Sequence, residues 1–166
     1  MPTHSRRLAC ALVLVAVCGL WTPPASTQTP DVATLVTRAL TTTTADERQA
    51  LLEAHPELTR DPAFAALRQA AAAAATATDP AQAFNGYRVL IDAAARAGND
   101  RLRILSVAAL GTLASRRGLF SVAEPALSEA QAWGEAKGDA EIIITASNNL
   151  GISLVNQGRY DEALAS

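Results

Sequence analysis

Residues of the same type recur in this chain 40 positions apart. Leu110-Gly111 is matched by Leu150-Gly151, Gly118 by Gly158, Phe120 by Tyr160 and Ala123 by Ala163, and Gly98 with Gly138 carries the register upstream. Several matches at one spacing mark a repeat array. The types fit a helix pair. Gly118 and Gly158 make the turn between its two helices, and Gly111 and Gly151 let the partner helix cross closely. Ala123 and Ala163 do the same from the other side. Phe120 and Tyr160 are expected to plug the space where the second helix starts. One such pair cannot bury its apolar stripe, so neighbours must stack.

The rest of the sequence agrees with an all-α chain. Hydrophobic residues make up 49% and aromatic residues only 4%, so Ala, Leu and Val supply the apolar mass. That argues against a disordered chain and against a β-sandwich. Apolar spacing is helical: Phe84, Tyr87, Ile91 and Ala94 recur at three and four residues, as do Ala123, Leu127, Ala130 and Trp133. Ile142-Ile143-Ile144-Thr145 is β-prone but runs directly into Ala146–Leu150, so it reads as helix. Helix starts are expected at Thr44-Ala45-Asp46-Glu47 and Ser121-Val122-Ala123-Glu124, both of capping-box form, and at Asp61-Pro62 and Asp79-Pro80. Pro125 is then expected in a first turn, where its missing N–H is harmless. Stops are expected at Gly98, Gly118, Gly138 and Gly158.

Residues 1–27 stand apart. Arg6-Arg7 precede an unbroken apolar run of 14 residues, Leu8–Trp21, followed by small residues and proline. That order is a secretory signal peptide. The run is short of the roughly 20 residues that span a bilayer. The expected location is therefore periplasmic or extracellular, with a membrane anchor only where the segment is retained. Cys10 and Cys18 both lie in the segment, so the mature chain has no disulfide and no thiol chemistry. Removing Arg6 and Arg7 leaves 12 basic against 16 acidic residues, a net −4 with no basic footprint for nucleic acid.

No reaction chemistry emerges from the remainder. His55 is the mature chain's single histidine and cannot build a usual zinc site without cysteine. No phosphate loop and no nucleophile elbow is present. Asp46-Glu47 and Asp161-Glu162 sit at helix starts, where they complement the helix dipole. The alanine run Ala70–Ala75 favours a narrow packing face. The expectation is a chain without cofactor, metal or catalytic residues, organised as 1–27 signal peptide, 28–60 N-terminal helical segment and 61–166 repeats (61–100 degenerate, 101–140, 141–166 incomplete).

Asn149-Leu150-Gly151 followed by Gly158-Arg159-Tyr160-Asp161-Glu162-Ala163-Leu164 resembles the tetratricopeptide-repeat pattern N-L-G…G-x-Y-x-E-A-L, and Leu110-Gly111…Gly118-Leu119-Phe120…Ala123 is a looser copy. The 40-residue spacing, with Ala136-Lys137-Gly138-Asp139, is similar to a subclass longer than the usual 34. The resemblance implies a helix-pair solenoid whose first helices line a concave groove. Its lining would be Leu105, Ala109, Thr112 and Arg116 from one repeat, and Thr145, Asn148, Asn149, Ile152 and Asn156 from the next. Asn149 matches a groove Asn that hydrogen-bonds a peptide backbone in many family members. Leu105 and Ala109 stand where some members carry a carboxylate-clamping Lys and Arg. The implied function is a non-catalytic scaffold binding a peptide or partner domain. Leu51–Leu58 is similar to a segment preceding repeats in bacterial proteins with a CHAT peptidase domain, so the alternative expectation is the N-terminal arm of a larger enzyme. No polar capping helix follows Ala163, so a longer chain, a partner subunit or a second copy is expected to cover that end.

Overall fold

The computed structural model describes residues 31–77 and 80–166. The signal-peptide segment lies outside them, as does Asp79 of the expected Asp79-Pro80 start. The described residues are all-helical, with no strand: α1 (Val32–Thr41), α2 (Ala45–Ala54), a 3-10 turn (Pro56–Thr59), α3 (Asp61–Ala75), α4 (Ala81–Arg96), α5 (Asp100–Arg116), α6 (Phe120–Lys137), α7 (Ala140–Asn156) and α8 (Tyr160–Ala165). From α3 onward each helix packs against the next, and α5 also touches α7. The isoleucine run Ile142–Ile144 is helical, inside α7.

One turn is used four times. Gly98, Gly118, Gly138 and Gly158 all take left-handed conformations, with φ of 67, 71, 66 and 76°. In each case the residue after the glycine donates its N–H to a carbonyl five residues back: Asn99 to Ala94, Leu119 to Ala114, Asp139 to Gly134 and Arg159 to Leu154, all at 2.9 Å. The glycine N–H bonds the intervening carbonyl, three residues back, which completes a Schellman motif and satisfies the orphan carbonyls of the helix end. The four glycines are evenly spaced at 20 residues, yet the period is 40 because the next helix opens in two ways. Asn99 and Asp139 cap α5 and α7 by accepting from Leu102 and Ile142 N–H. Leu119 and Arg159 open α6 and α8 with no side-chain cap.

The helices of a pair cross at small residues. A Cβ on Gly111 would lie 2.9 Å from Leu127 Cγ and 3.1 Å from Ala126 Cβ. Forty residues earlier the same crossing exchanges its partners: Ala71 on α3 faces Gly86 on α4, where a Cβ would lie 2.9 Å from Ala71 Cβ. Forty residues later Gly151 faces Ser166, with the serine hydroxyl 3.2 Å from a built Cβ. Around these crossings the core is continuous from one helix to the next. Ile104 and Ala108 pack with Ala130, Ile142 and Ala146, and half-buried Trp133 leans on them.

The segment expected as a separate N-terminal unit is built into the first pair. Leu35, Ala39, Leu51, Leu52 and Leu58 share one cluster with Phe64, Leu67, Val89 and Leu90. Asn85 Nδ2 donates to Leu40 O at 3.1 Å and Arg48 pairs with Asp92 at 2.7 Å. The Thr44 capping box is present, with Glu47 N–H donating to Thr44 Oγ1 and Thr44 N–H to Glu47 Oε2, both at 3.1 Å. His55 caps the end of α2 and lies 3.2 Å from Glu57.

Four local expectations are corrected. Asp61 is the first residue of α3, and Arg60 holds the cap position without a side-chain bond. Ser121 does not cap: the Gly118 turn already launches α6 at Phe120, and Glu124 turns instead to Arg159 and Gln157. Pro125 therefore falls past the first turn, and the Ser121 carbonyl loses its i+4 donor. Tyr160 is 64% exposed rather than plugged between helices, because α8 leaves its outer face uncovered, while Phe120 is half-buried.

The two glycine roles separate experimentally. At Gly118 an added Cβ meets nothing within 4 Å, so Gly118→Ala is penalised only by its left-handed backbone. A loss of about 1 kcal/mol is expected. At Gly111 the helix favours Ala by about 1 kcal/mol, but overpacking against Leu127 outweighs it at about 1–3 kcal/mol. Both variants should unfold at lower temperature by circular dichroism. A stabilised Gly111→Ala would show that the crossing has room.

Candidate functional site

The first helices of successive pairs, α3, α5 and α7, bring a set of side chains to one groove. On α3 these are Ala72, Ala75 and Thr76, one face at helical spacing. On α5 they are Leu105, Ala108, Ala109, Thr112, Leu113, Arg116 and Arg117, and on α7 Thr145 and Asn149. Tyr87 enters from α4, which lies against both α3 and α5. The cavity measures about 440 Å³. It meets a second hollow of about 290 Å³ at Leu105, lined further along α3 and α5 by Phe64, Ala65, Arg68 and Leu102.

Six of the nine residues expected in the groove come together here: Leu105, Ala109, Thr112, Arg116, Thr145 and Asn149. Three do not. Asn148 and Ile152 face the α7–α8 hollow, one step round the helix from Asn149. Asn156 is exposed near the end of α7 and lines neither hollow. The reason is helical geometry: positions 145 and 149 share a face, whereas 148, 152 and 156 lie on the next one round. Tyr87 and Arg117 were not anticipated. Tyr87 read as a core aromatic on the α4 stripe, and the tie made by Arg117 spans 42 residues of sequence.

The polar groups divide into satisfied and free. Arg117 Nη2 donates to Ala75 O at 3.1 Å and Ala77 O at 3.3 Å, closing over the carbonyl end of α3. Thr112 Oγ1 donates to Ala108 O at 2.8 Å and Asn149 Nδ2 to Thr145 O at 2.7 Å. The Asn149 amide oxygen and the Thr112 hydroxyl oxygen remain able to accept. Arg116 has no ion pair, and the Tyr87 hydroxyl has no hydrogen-bond partner among the described residues, although Tyr87 is only 8% exposed. Burial pushes the Tyr87 phenol above its ordinary pKa, and the charge of Arg116 pulls the other way.

At the far end α7 and α8 present an apolar surface. Ile144, Ile152, Val155, Tyr160 and Leu164 are exposed, Leu164 at 89%. The hollow between them measures about 610 Å³ and no charged residue lines it. Behind it, Arg159 joins both Glu124 oxygens at 2.8–2.9 Å and also pairs with Glu162. Among the described residues no cluster of His, Asp or Glu converges as a metal site, and no helix is long and apolar enough to cross a membrane.

Comparison with protein-family models, with curated proteins and with solved structures finds no match to this chain.

The Arg159 network gives the chain an acid-sensitive end. Hydrogen bonds from Arg159 and Gln157 hold the Glu124 carboxyl below its ordinary pKa, and Arg159 does the same for Glu162. A depressed carboxylate pKa stabilises the fold above the unfolded value and loses that contribution as pH falls through the folded one. Thermal stability should therefore drop below about pH 4.5, the ordinary glutamate value. Glu124→Gln should flatten part of that acid limb in melts between pH 7 and 3.

Proposed function

We propose that this chain is a non-catalytic protein-interaction scaffold, a helix-pair solenoid of tetratricopeptide type that receives an extended peptide in the groove of α3, α5 and α7. The observation that carries the reading is the groove itself. Its walls are small and apolar, while acceptors on Thr112 and Asn149, the Tyr87 hydroxyl and the Arg116 guanidinium point at no partner of their own. A few oriented polar groups on a mainly apolar wall are what fix the direction of a bound chain. Repeat packing would set this geometry before binding and limit the entropy lost on association. Export by the N-terminal segment belongs to the same proposal.

The test is selection of random dodecapeptides on the immobilised protein. Peptides so obtained are expected to bind the native chain and to lose affinity about tenfold or more for Ala109→Trp, which fills the groove from its wall. Asn149→Ala, a milder change, should weaken the same peptides without altering the melting curve. Equal binding by both variants would move the site elsewhere.

The α7–α8 face favours a second reading, contact between two copies of the chain. Its exposed isoleucines sit where the preceding repeat is covered: Ile144 is 59% exposed, whereas Ile104, 40 residues earlier, is fully buried. Because its lining carries no charge, two copies meet there without like-charge repulsion. Sedimentation should then give a mass that rises with concentration, and Ile152→Glu should abolish the rise.

A further inference from the structure

We infer that the groove selects peptides carrying acidic side chains, with one carboxylate seated between Arg116 and the Tyr87 hydroxyl. The inference rests on the scaffold reading and names what the scaffold takes.

Charge complementarity carries it. No acidic residue lines the 440 Å³ cavity, while Arg116 stands in it without an ion pair among the described residues. This is unusual for the molecule. Arg48, Arg96, Arg101, Arg103 and Arg159 are each paired with a carboxylate, and Arg117 is spent on backbone carbonyls. A second observation is independent of the charge. Tyr87 is more than nine-tenths buried, lines the same cavity and has a hydroxyl with no protein partner. Leaving a buried donor unmade is unfavourable, and a carboxylate oxygen accepts both from it and from the guanidinium.

The carboxylate is assigned to side chains rather than to a peptide C-terminus because the cationic points are two. Arg68 lines the adjoining hollow, also without an ion pair, and the two hollows share Leu105. One terminal carboxylate satisfies only one of these sites. An extended segment with two acidic residues satisfies both, its intervening residues lying over Leu105 and Ala109.

The experiment uses the dodecapeptide selection on the full chain, with every peptide amidated at its C-terminus for the affinity measurements. Three proteins are compared: native, Arg116→Glu and Tyr87→Phe, each checked by circular dichroism for an unchanged melt. Asp and Glu should be enriched in peptides taken by the native protein. Replacing the Glu or Asp of a selected peptide by Gln or Asn should weaken it about tenfold. Arg116→Glu should remove that preference and select basic residues, and Tyr87→Phe should weaken acidic peptides more than their amide versions. Selected peptides with no acidic bias, still lost on Ala109→Trp, would overturn this inference and leave the scaffold standing. Peptides that bind only with a free C-terminal carboxylate would overturn it in favour of terminal recognition. A selection that yields no binder would remove the scaffold reading and this one together.

Discussion

Where the two helices of a pair cross, each side brings a residue no larger than alanine or serine. Ala71 meets Gly86, Gly111 meets Ala126 and Gly151 meets Ser166, each pair 40 residues from the last. Everything else in the fold follows from that approach. With the backbones so close, larger side chains on either flank interleave: Leu127 and Leu113 to one side, Ile104, Ala130 and Ile142 to the other. The layers then repeat, and the first helices of successive pairs face the same way. That shared facing is what assembles a groove from residues 40 positions apart.

Much of this was legible in the sequence, for physical reasons that differ by residue. The four stop glycines could be read because a left-handed backbone admits little else, and all four close the same turn. The Thr44 cap could be read because its two reciprocal bonds lie within three residues. The first repeat was harder. It has its full first helix, α3, but the glycine of its crossing sits on the other partner, at Gly86 rather than at position 71. A contact conserves the summed size of two residues, not the identity of either, so a search for identical letters passes over it. Ser121-Val122-Ala123-Glu124 failed in the opposite way. Its letters suit a cap, but the preceding glycine turn had already fixed the helix start one residue earlier.

The candidate groove was legible in part. Position along a helix gave Thr145 and Asn149 on one face, and the α5 stripe from Leu105 to Arg116. It did not separate them from Asn148 and Ile152, because a single turn places these side chains only one step apart while sending them to different hollows. Tyr87 and Arg117 act across helices, and no local pattern carries such information. Arg117 in particular looked like half of an Arg-Arg pair at a helix end. The carbonyls of Ala75 and Ala77 draw it across to α3 and leave Arg116 facing the cavity.

The even spacing of the turn glycines has a consequence for how such a chain tolerates change in length. Each helix and its turn occupy 20 residues, and each small residue must reach its crossing at one rotational setting. One residue inserted within α5 would rotate everything beyond it by about 100°, carrying Gly111 away from Ala126 and Arg116 out of the cavity. Gain or loss of sequence is then accommodated in the exposed turns or as whole helix pairs. Between those two scales the architecture behaves as a ruled lattice, whose smallest neutral step in evolution is a complete 40-residue unit.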